Sequence, residues 1–209
     1  MKSVNLTPFF AKKDKIAKTN IDSALQKLVE GNKRYSSGES IYPNQTAEYR
    51  INVAKKPRPF AVILSCSDSR VPPEIIFDLG IGDLFVIRNA GNIINNEALG
   101  SIEYAVQYFG VKLIVVMGHN RCGAVSAAVQ GGEFPGHIKY LLEAIKPAVE
   151  KAKRKNGDVV QNSVNENIVK VVEKLNFSEP ILKQLVNLGK INIIGACYDM
   201  DNGSVTFGL

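Results

Sequence analysis

Apolar residues along the chain recur with two different periods. Ile21, Ala24, Leu25, Leu28 and Val29 follow the i, i+3, i+4, i+7, i+8 spacing of an amphipathic helix. Asn20 is a suitable cap for its start. A helix is therefore expected from Ile21 to near Gly38, after an extended, Lys-rich arm over residues 1–19. A short polar helix is expected over 46–55, closed by Pro57 and Pro59. Continuous apolar runs then occupy 60–65, 84–88, 112–117 and 191–196. Their length and branched residues suit strands buried on both faces of a parallel sheet. The stretch 203–207, after the turn Asp201-Asn202-Gly203, reads as an edge strand.

Helical patterns fall between these runs. One face is formed by Ala98, Ile102, Ala105, Val106 and Phe109. Others are formed by Ile138, Leu141, Leu142 and Ile145, and by Val164, Ile168, Val171, Val172 and Leu175. Pro180 suits the first turn of a last helix that ends at Gly189. Strands alternating with helices predict an α/β fold, a single domain over 20–209 with a mostly parallel central sheet. The expected strand order is 2-1-3-4 with an added edge strand.

Two segments carry chemistry. Cys66-Ser67-Asp68-Ser69-Arg70 follows the first strand, and His119-Asn120-Arg121-Cys122-Gly123 follows the third. Open α/β sheets bind ligands at the carboxyl ends of their strands, and the expected order makes strands 1 and 3 neighbours. Two thiolates and an imidazole suit zinc, and three protein ligands leave the fourth tetrahedral position open, as catalytic zinc sites do. His119-x-x-Cys122 alone is a weak signal. Together with C-x-D-x-R on the matching strand end it becomes specific.

Composition narrows the partners. The chain carries 26 Lys and Arg against 20 Asp and Glu, a formal charge of +6. The basic runs 12–18 and 151–155 lack interleaved aromatics, so no nucleic-acid partner is expected. No apolar run approaches the roughly 18 residues of a membrane helix, so no membrane partner is expected. Three cysteines are too few for a disulfide framework, and two of them are candidate ligands. The N-terminus lacks a signal-peptide core. The expected location is cytoplasmic, or periplasmic for a mature form whose signal has been removed.

CSDSR and HNRCG, together with SRVPPEIIFDLGIGDLFVIRNAGN and SIEYAV, resemble the β class of carbonic anhydrases from about residue 20 onward. The resemblance implies Zn2+ bound by Cys66, His119 and Cys122. It implies that CO2 is hydrated to bicarbonate and a proton by a zinc-bound hydroxide. Two thiolates donate more charge than imidazoles would, so activity should favour mildly alkaline pH. Asp68, paired with Arg70, would accept a hydrogen bond from that hydroxide. In a closed state Asp68 itself would become the fourth metal ligand. Phe85, Ala90 and Tyr104 match the family's apolar substrate pocket, and the backbone of Gly123 would touch the substrate. A homodimer or higher oligomer is implied, with pocket residues crossing the interface and the N-terminal helix and arm embracing the partner.

The chain also departs from the family's pattern. Pro57 stands where many relatives have a substrate-positioning Gln. No Trp is present, and Ile63 occupies its place in the inhibitory bicarbonate pocket of one subgroup. No such pocket is expected, and Arg88 is read as a structural residue. Asp68 is then expected on Arg70, with the metal open to water. His137 is expected to be exposed and Cys197 to pack in the core. Two other chemistries could use the same residues. One is hydrolysis of CS2 or carbonyl sulfide on the same fold. The other is a non-catalytic zinc or redox-sensing module with Cys66 and Cys122 as a dithiol. The intact Asp68–Arg70 pair argues against the sensor, which has no need of a hydroxide-orienting pair; pocket and tunnel shape would separate the two enzymes.

Overall fold

The structure is a computed structural model that describes the backbone of residues 11–209 and the side chains of residues 20–209. Its centre is a five-stranded sheet of order β2-β1-β3-β4-β5. The strands are β1 (Ala61–Cys66), β2 (Leu84–Asn89), β3 (Leu113–His119), β4 (Asn192–Tyr198) and β5 (Val205–Phe207). β1 to β4 are parallel, and β5 runs antiparallel on β4. The topology is the expected one. Every residue of β1 and β3 is buried, which is why both read as unbroken apolar runs. Each fully buried Leu, Ile or Val contributes about 2 kcal/mol of hydrophobic stabilisation.

Register places the chemistry. Ser65 of β1 lies opposite Met117 of β3. Cys66 therefore leaves the sheet beside the end of β3, where Gly118 and His119 follow.

The helices are α1 (Ala11–Ser37), α2 (Ala47–Ala54), α3 (Pro73–Ile76), α4 (Asn96–Phe109), α5 (Gly123–Gln130), α6 (Ile138–Ala152), α7 (Val159–Asn176) and α8 (Leu182–Asn187). Side-chain caps start three of them. Thr46 accepts from the Tyr49 N–H, Asn95 from the Ala98 N–H, and Asp158 from the Val160 and Gln161 N–H groups. Gly110 ends α4 in the left-handed conformation, φ 68°.

The N-terminal expectation needs correction. α1 begins at Ala11, so Asn20 lies inside the helix and does not cap it, and residues 11–19 are not extended. Ala and Lys are strong helix formers, so nothing in 11–18 stops the helix that Ile21 was expected to begin. The arm before residue 11 lies outside the described residues. α3 and α5 were not anticipated: both are short, and neither shows a clear apolar stripe. α8 starts at Leu182, later than Pro180 suggested. Among the described residues no helix is long and apolar enough to cross a membrane.

α7 packs across β3 and β4. Its approach depends on two glycines in the strands. A Cβ on Gly118 would come within 2.7 Å of Ile168 Cδ1, and one on Gly195 within 2.7 Å of Ile168 Cγ2. Ile168 thus fills the space that the missing side chains leave, and α7 is seated against the end of β3 next to His119.

Gly118→Ala should lower the free energy of unfolding by about 1–3 kcal/mol through overpacking. Ile168→Val, which removes Cδ1, should cost less in the Gly118→Ala background than alone. Urea denaturation of the four proteins checks this; strictly additive effects would show that α7 is not wedged at this point.

Candidate metal centre

Three elements deliver the ligand set. Cys66 is the last residue of β1, His119 the last of β3, and Cys122 the residue before α5. Their ligand atoms lie within 4.8 Å of one another. All three residues are buried, at 4%, 1% and 1% exposure. His119 Nδ1 lies 2.9 Å from the Asn120 carbonyl oxygen. A carbonyl can only accept, so Nδ1 carries the proton and Nε2 presents its lone pair. That Nε2 is buried and has no hydrogen-bond partner. An orphaned imidazole nitrogen beside two buried sulfurs is the donor set of a metal site.

The spacing fits zinc. Thiolates about 2.3 Å from a tetrahedral zinc ion lie roughly 3.8 Å apart, and here the sulfurs are 4.0 Å apart. Backbone N–H groups already face them. Cys66 Sγ accepts from the Gly91 N–H at 3.3 Å, and the Asp68 N–H also faces it. The N–H groups of Val125 and Ala124, in the first turn of α5, face Cys122. The sulfurs are within contact distance and either can donate to the other. That contact, with the Gly91 N–H and against the cost of burial, holds the Cys66 thiol below its ordinary range. The same contact, followed by burial, pushes Cys122 up.

Asp68 and Arg70 stand beside this group. Asp68 Oδ1 accepts from the Arg70 N–H at 3.0 Å and from Arg70 Nε at 2.9 Å, and Oδ2 accepts from Arg70 Nη2 at 2.7 Å. The Arg70 guanidinium holds the carboxyl far below the usual range, outweighing its partial burial. The ligand cluster contains Cys66, His119 and Cys122 and not Asp68, whose carboxylate is turned to Arg70. Arg88 supports the loop from below. Its Nε donates to the Cys66 carbonyl at 2.9 Å and its Nη2 to the Asp68 carbonyl at 2.5 Å. With Ile63 fully buried in β1, the guanidinium is engaged with backbone, as its structural reading anticipated.

The pocket residues separate into two pairs. Ala90 opens the short 3-10 turn Ala90–Asn92, directly before the Gly91 that touches Cys66. Gly123 begins α5, exposed and with open space before it. Both lie at the metal end of the sheet. Phe85 lies opposite Val62, four residues before Cys66, so roughly 13 Å down the strand. Tyr104 is 48% exposed. Its ring stacks on Tyr108 at 4.6 Å and meets Phe109 edge-on at 5.4 Å, and Phe109 contacts Phe85. This aromatic group forms a separate surface patch, and one chain does not bring it to its own cysteines. Pro57 is exposed ahead of β1. His137 is exposed and stacks on Tyr140. Cys197 is half-buried on β4, with Gln161 Nε2 3.8 Å from its sulfur.

Sequence reasoning passed over two residues that shape the site. Gly91 adopts φ 71°, and a Cβ there would meet Ile145 Cδ1 at 2.7 Å; a glycine just after a strand was the available signal. Asn120 accepts from the Met200 N–H and donates to Asp199, which ties the loop after β3 to the turn after β4. Nothing in the sequence marked that role.

Fold and site together define an α/β protein built around one Cys-His-Cys metal position at the carboxyl ends of neighbouring parallel strands. A family model described as carbonic anhydrase matches residues 61–205. Carbonic anhydrase 2 of Mycobacterium tuberculosis is 39% identical over 189 residues, covering 88% of this chain and 91% of that protein. The carbonic anhydrase of Mycolicibacterium smegmatis is 37% identical over 191 residues, covering 90% and 93%. A tetrameric β-carbonic anhydrase from Sordaria macrospora superposes with a TM-score of 0.71 at 25% identity, covering 77% of this chain and 85% of that one. The chain belongs to the β class of the carbonic anhydrase family.

Cobalt(II) titration tests the ligand set. The wild-type protein should develop an intense near-ultraviolet thiolate-to-cobalt band with one ion per chain. His119→Ala and Cys66→Ser should each weaken binding by well over a hundred-fold, since loss of a ligand exceeds the 10–100-fold cost of losing a residue that supports one.

Proposed function

We propose that the protein hydrates CO2 reversibly to bicarbonate and a proton, with zinc held by Cys66, His119 and Cys122. The observation that carries this reading is the ionised Asp68, fixed by Arg70, beside a three-ligand cluster with a free imidazole lone pair. A structural zinc site would use four protein ligands and need no oriented carboxylate. Zinc bound there supplies Lewis acidity that makes water a nucleophile near neutral pH.

The chain's own residues do the rest. Oδ1 is used twice by Arg70 and Oδ2 once, so Oδ2 keeps a lone pair that can accept a hydrogen bond from the attacking O–H and aim its oxygen at carbon. Arg70 keeps the carboxylate charged and turned away from the ligand cluster. Arg88 holds the carbonyls of Cys66 and Asp68, which fixes the spacing of ligand and acceptor along one loop. Gly123 presents open backbone to a substrate oxygen. The departing proton passes to buffer, since His137 lies exposed at the start of α6.

The apolar wall of the pocket comes from a second copy. Phe85 and Tyr104 are far along the sheet from their own cysteines, on an exposed aromatic face. Among the described residues β2 is one of the two edge strands of the sheet, and none of its residues is fully buried. A homodimer across this edge, extended by α1 and the arm, brings the aromatic patch of one copy to the metal centre of the other. Free thiols that must remain available for metal suit a reducing compartment, and the proposed location is the cytoplasm.

Stopped-flow measurement of CO2 hydration on zinc-loaded protein should show rapid turnover that rises toward alkaline pH. Cys66→Ser should abolish it, and Asp68→Asn should reduce it about 10²-fold or more at unchanged zinc content. Absence of hydration by folded, fully loaded protein would sink the reading and direct attention to CS2 and carbonyl sulfide as substrates.

Mixing provides the test of the shared site. Cys66→Ser and Tyr104→Ala proteins, each impaired, should regain part of the wild-type rate when dissociated and reassembled together. A rate no higher than the sum of the two separate proteins would place Tyr104 outside the partner's pocket.

A further inference from the structure

Asn167 lies on α7, next to the Ile168 that fits against Gly118 and Gly195. It is 1% exposed. Its Nδ2 donates to the Gly91 carbonyl oxygen at 2.8 Å. Its Oδ1 is buried with no partner. A buried amide with one end unsatisfied is destabilising by itself, so the Gly91 contact is the visible return for keeping it there. Gly91 sits in a left-handed conformation that leaves no room for a side chain, and its N–H donates to Cys66 Sγ at 3.3 Å. The residue is therefore held at both ends, by Asn167 at its carbonyl and by the Cys66 sulfur at its N–H.

We propose that Asn167 is a positioning residue for the metal centre: by gripping the Gly91 carbonyl it aims the Gly91 N–H at Cys66 and sets how strongly that sulfur donates to the metal. This rests on the reading of Cys66, His119 and Cys122 as metal ligands. An N–H directed at a thiolate withdraws electron density from it and stabilises its negative charge. The close approach of α7, made possible by Gly118 and Gly195, is thereby transmitted through Asn167 and Gly91 to one of the three ligands. Asn167 touches neither substrate nor metal, so its effect is read at the sulfur.

The experiment compares wild type with Asn167→Leu, of similar size but without a donor, and Asn167→Gln, which keeps the donor on a longer stem. Asn167→Asp, of the same shape with an acceptor where the donor stood, serves if the leucine variant does not fold. Cobalt(II) is the first probe. Loss of the Gly91 hydrogen bond should move the thiolate-to-cobalt band to longer wavelength and weaken cobalt binding about 10–100-fold, with partial return in Asn167→Gln. Cadmium-113 is the second. Through-sulfur coupling between the ion and the Gly91 amide proton should be present in wild type and lost in Asn167→Leu or Asn167→Asp. An unshifted band and retained coupling in the donor-free variant would overturn the inference while leaving the metal site intact. A wild-type protein that gives no thiolate-to-cobalt band would overturn the ligand reading beneath it, and the inference with it.

Discussion

Two buried sulfur atoms 4.0 Å apart strongly disfavour both carrying charge without a cation between or beside them. At an effective dielectric near 20 the repulsion of two unit charges at that distance is about 4 kcal/mol. One proton held between them would relieve that repulsion. A divalent ion reverses the balance, because it attracts both thiolates and the free imidazole lone pair at once. The surroundings are arranged for that second state. Peptide N–H groups face each sulfur, the imidazole proton is committed to a carbonyl, and the nearby carboxylate is neutralised by its own arginine.

That arrangement is a property of the framework. Parallel pairing of β1 and β3, with Ser65 opposite Met117, brings Cys66 and His119 out at the same end of the sheet, within one residue of each other in height. The short helix after Cys122 points its first N–H groups back at the sulfur. Arg88, reaching from the neighbouring β2, grips the two carbonyls that flank Ser67. The donor atoms are therefore held chiefly by backbone, which has few soft torsions.

The sheet, its order and the ligand triad were legible because they are written in strong, local signals: unbroken apolar runs and two compact motifs at strand ends. The start of α1 was misplaced because Asn20 is a good cap that here sits mid-helix. Propensity in the Ala- and Lys-rich stretch before it prevailed over a cap signal worth only about 1 kcal/mol. α5 escaped notice because, in eight residues, only Val125 and Val129 mark its apolar face among Gly, Ala and Ser. The support of the site was illegible for another reason. Asn167, Gly91 and Cys66 are far apart in the chain and meet only once α7 is seated on the sheet, so no spacing along the sequence records them. Phe85 and Tyr104 carry a familiar pattern, but pattern alone does not say that their own chain places them away from its cysteines.

The edge at β2 has a consequence for the protein as a population of molecules. An edge strand that no other described strand covers, with an aromatic patch nearby, is stabilised by whatever covers it, and the proposed cover is another copy of the same chain. Folding and assembly then share one equilibrium, and resistance to unfolding rises with the logarithm of protein concentration. Dilution alone would loosen the fold and open the pocket together, so the amount of protein present becomes a determinant of how much of it is competent.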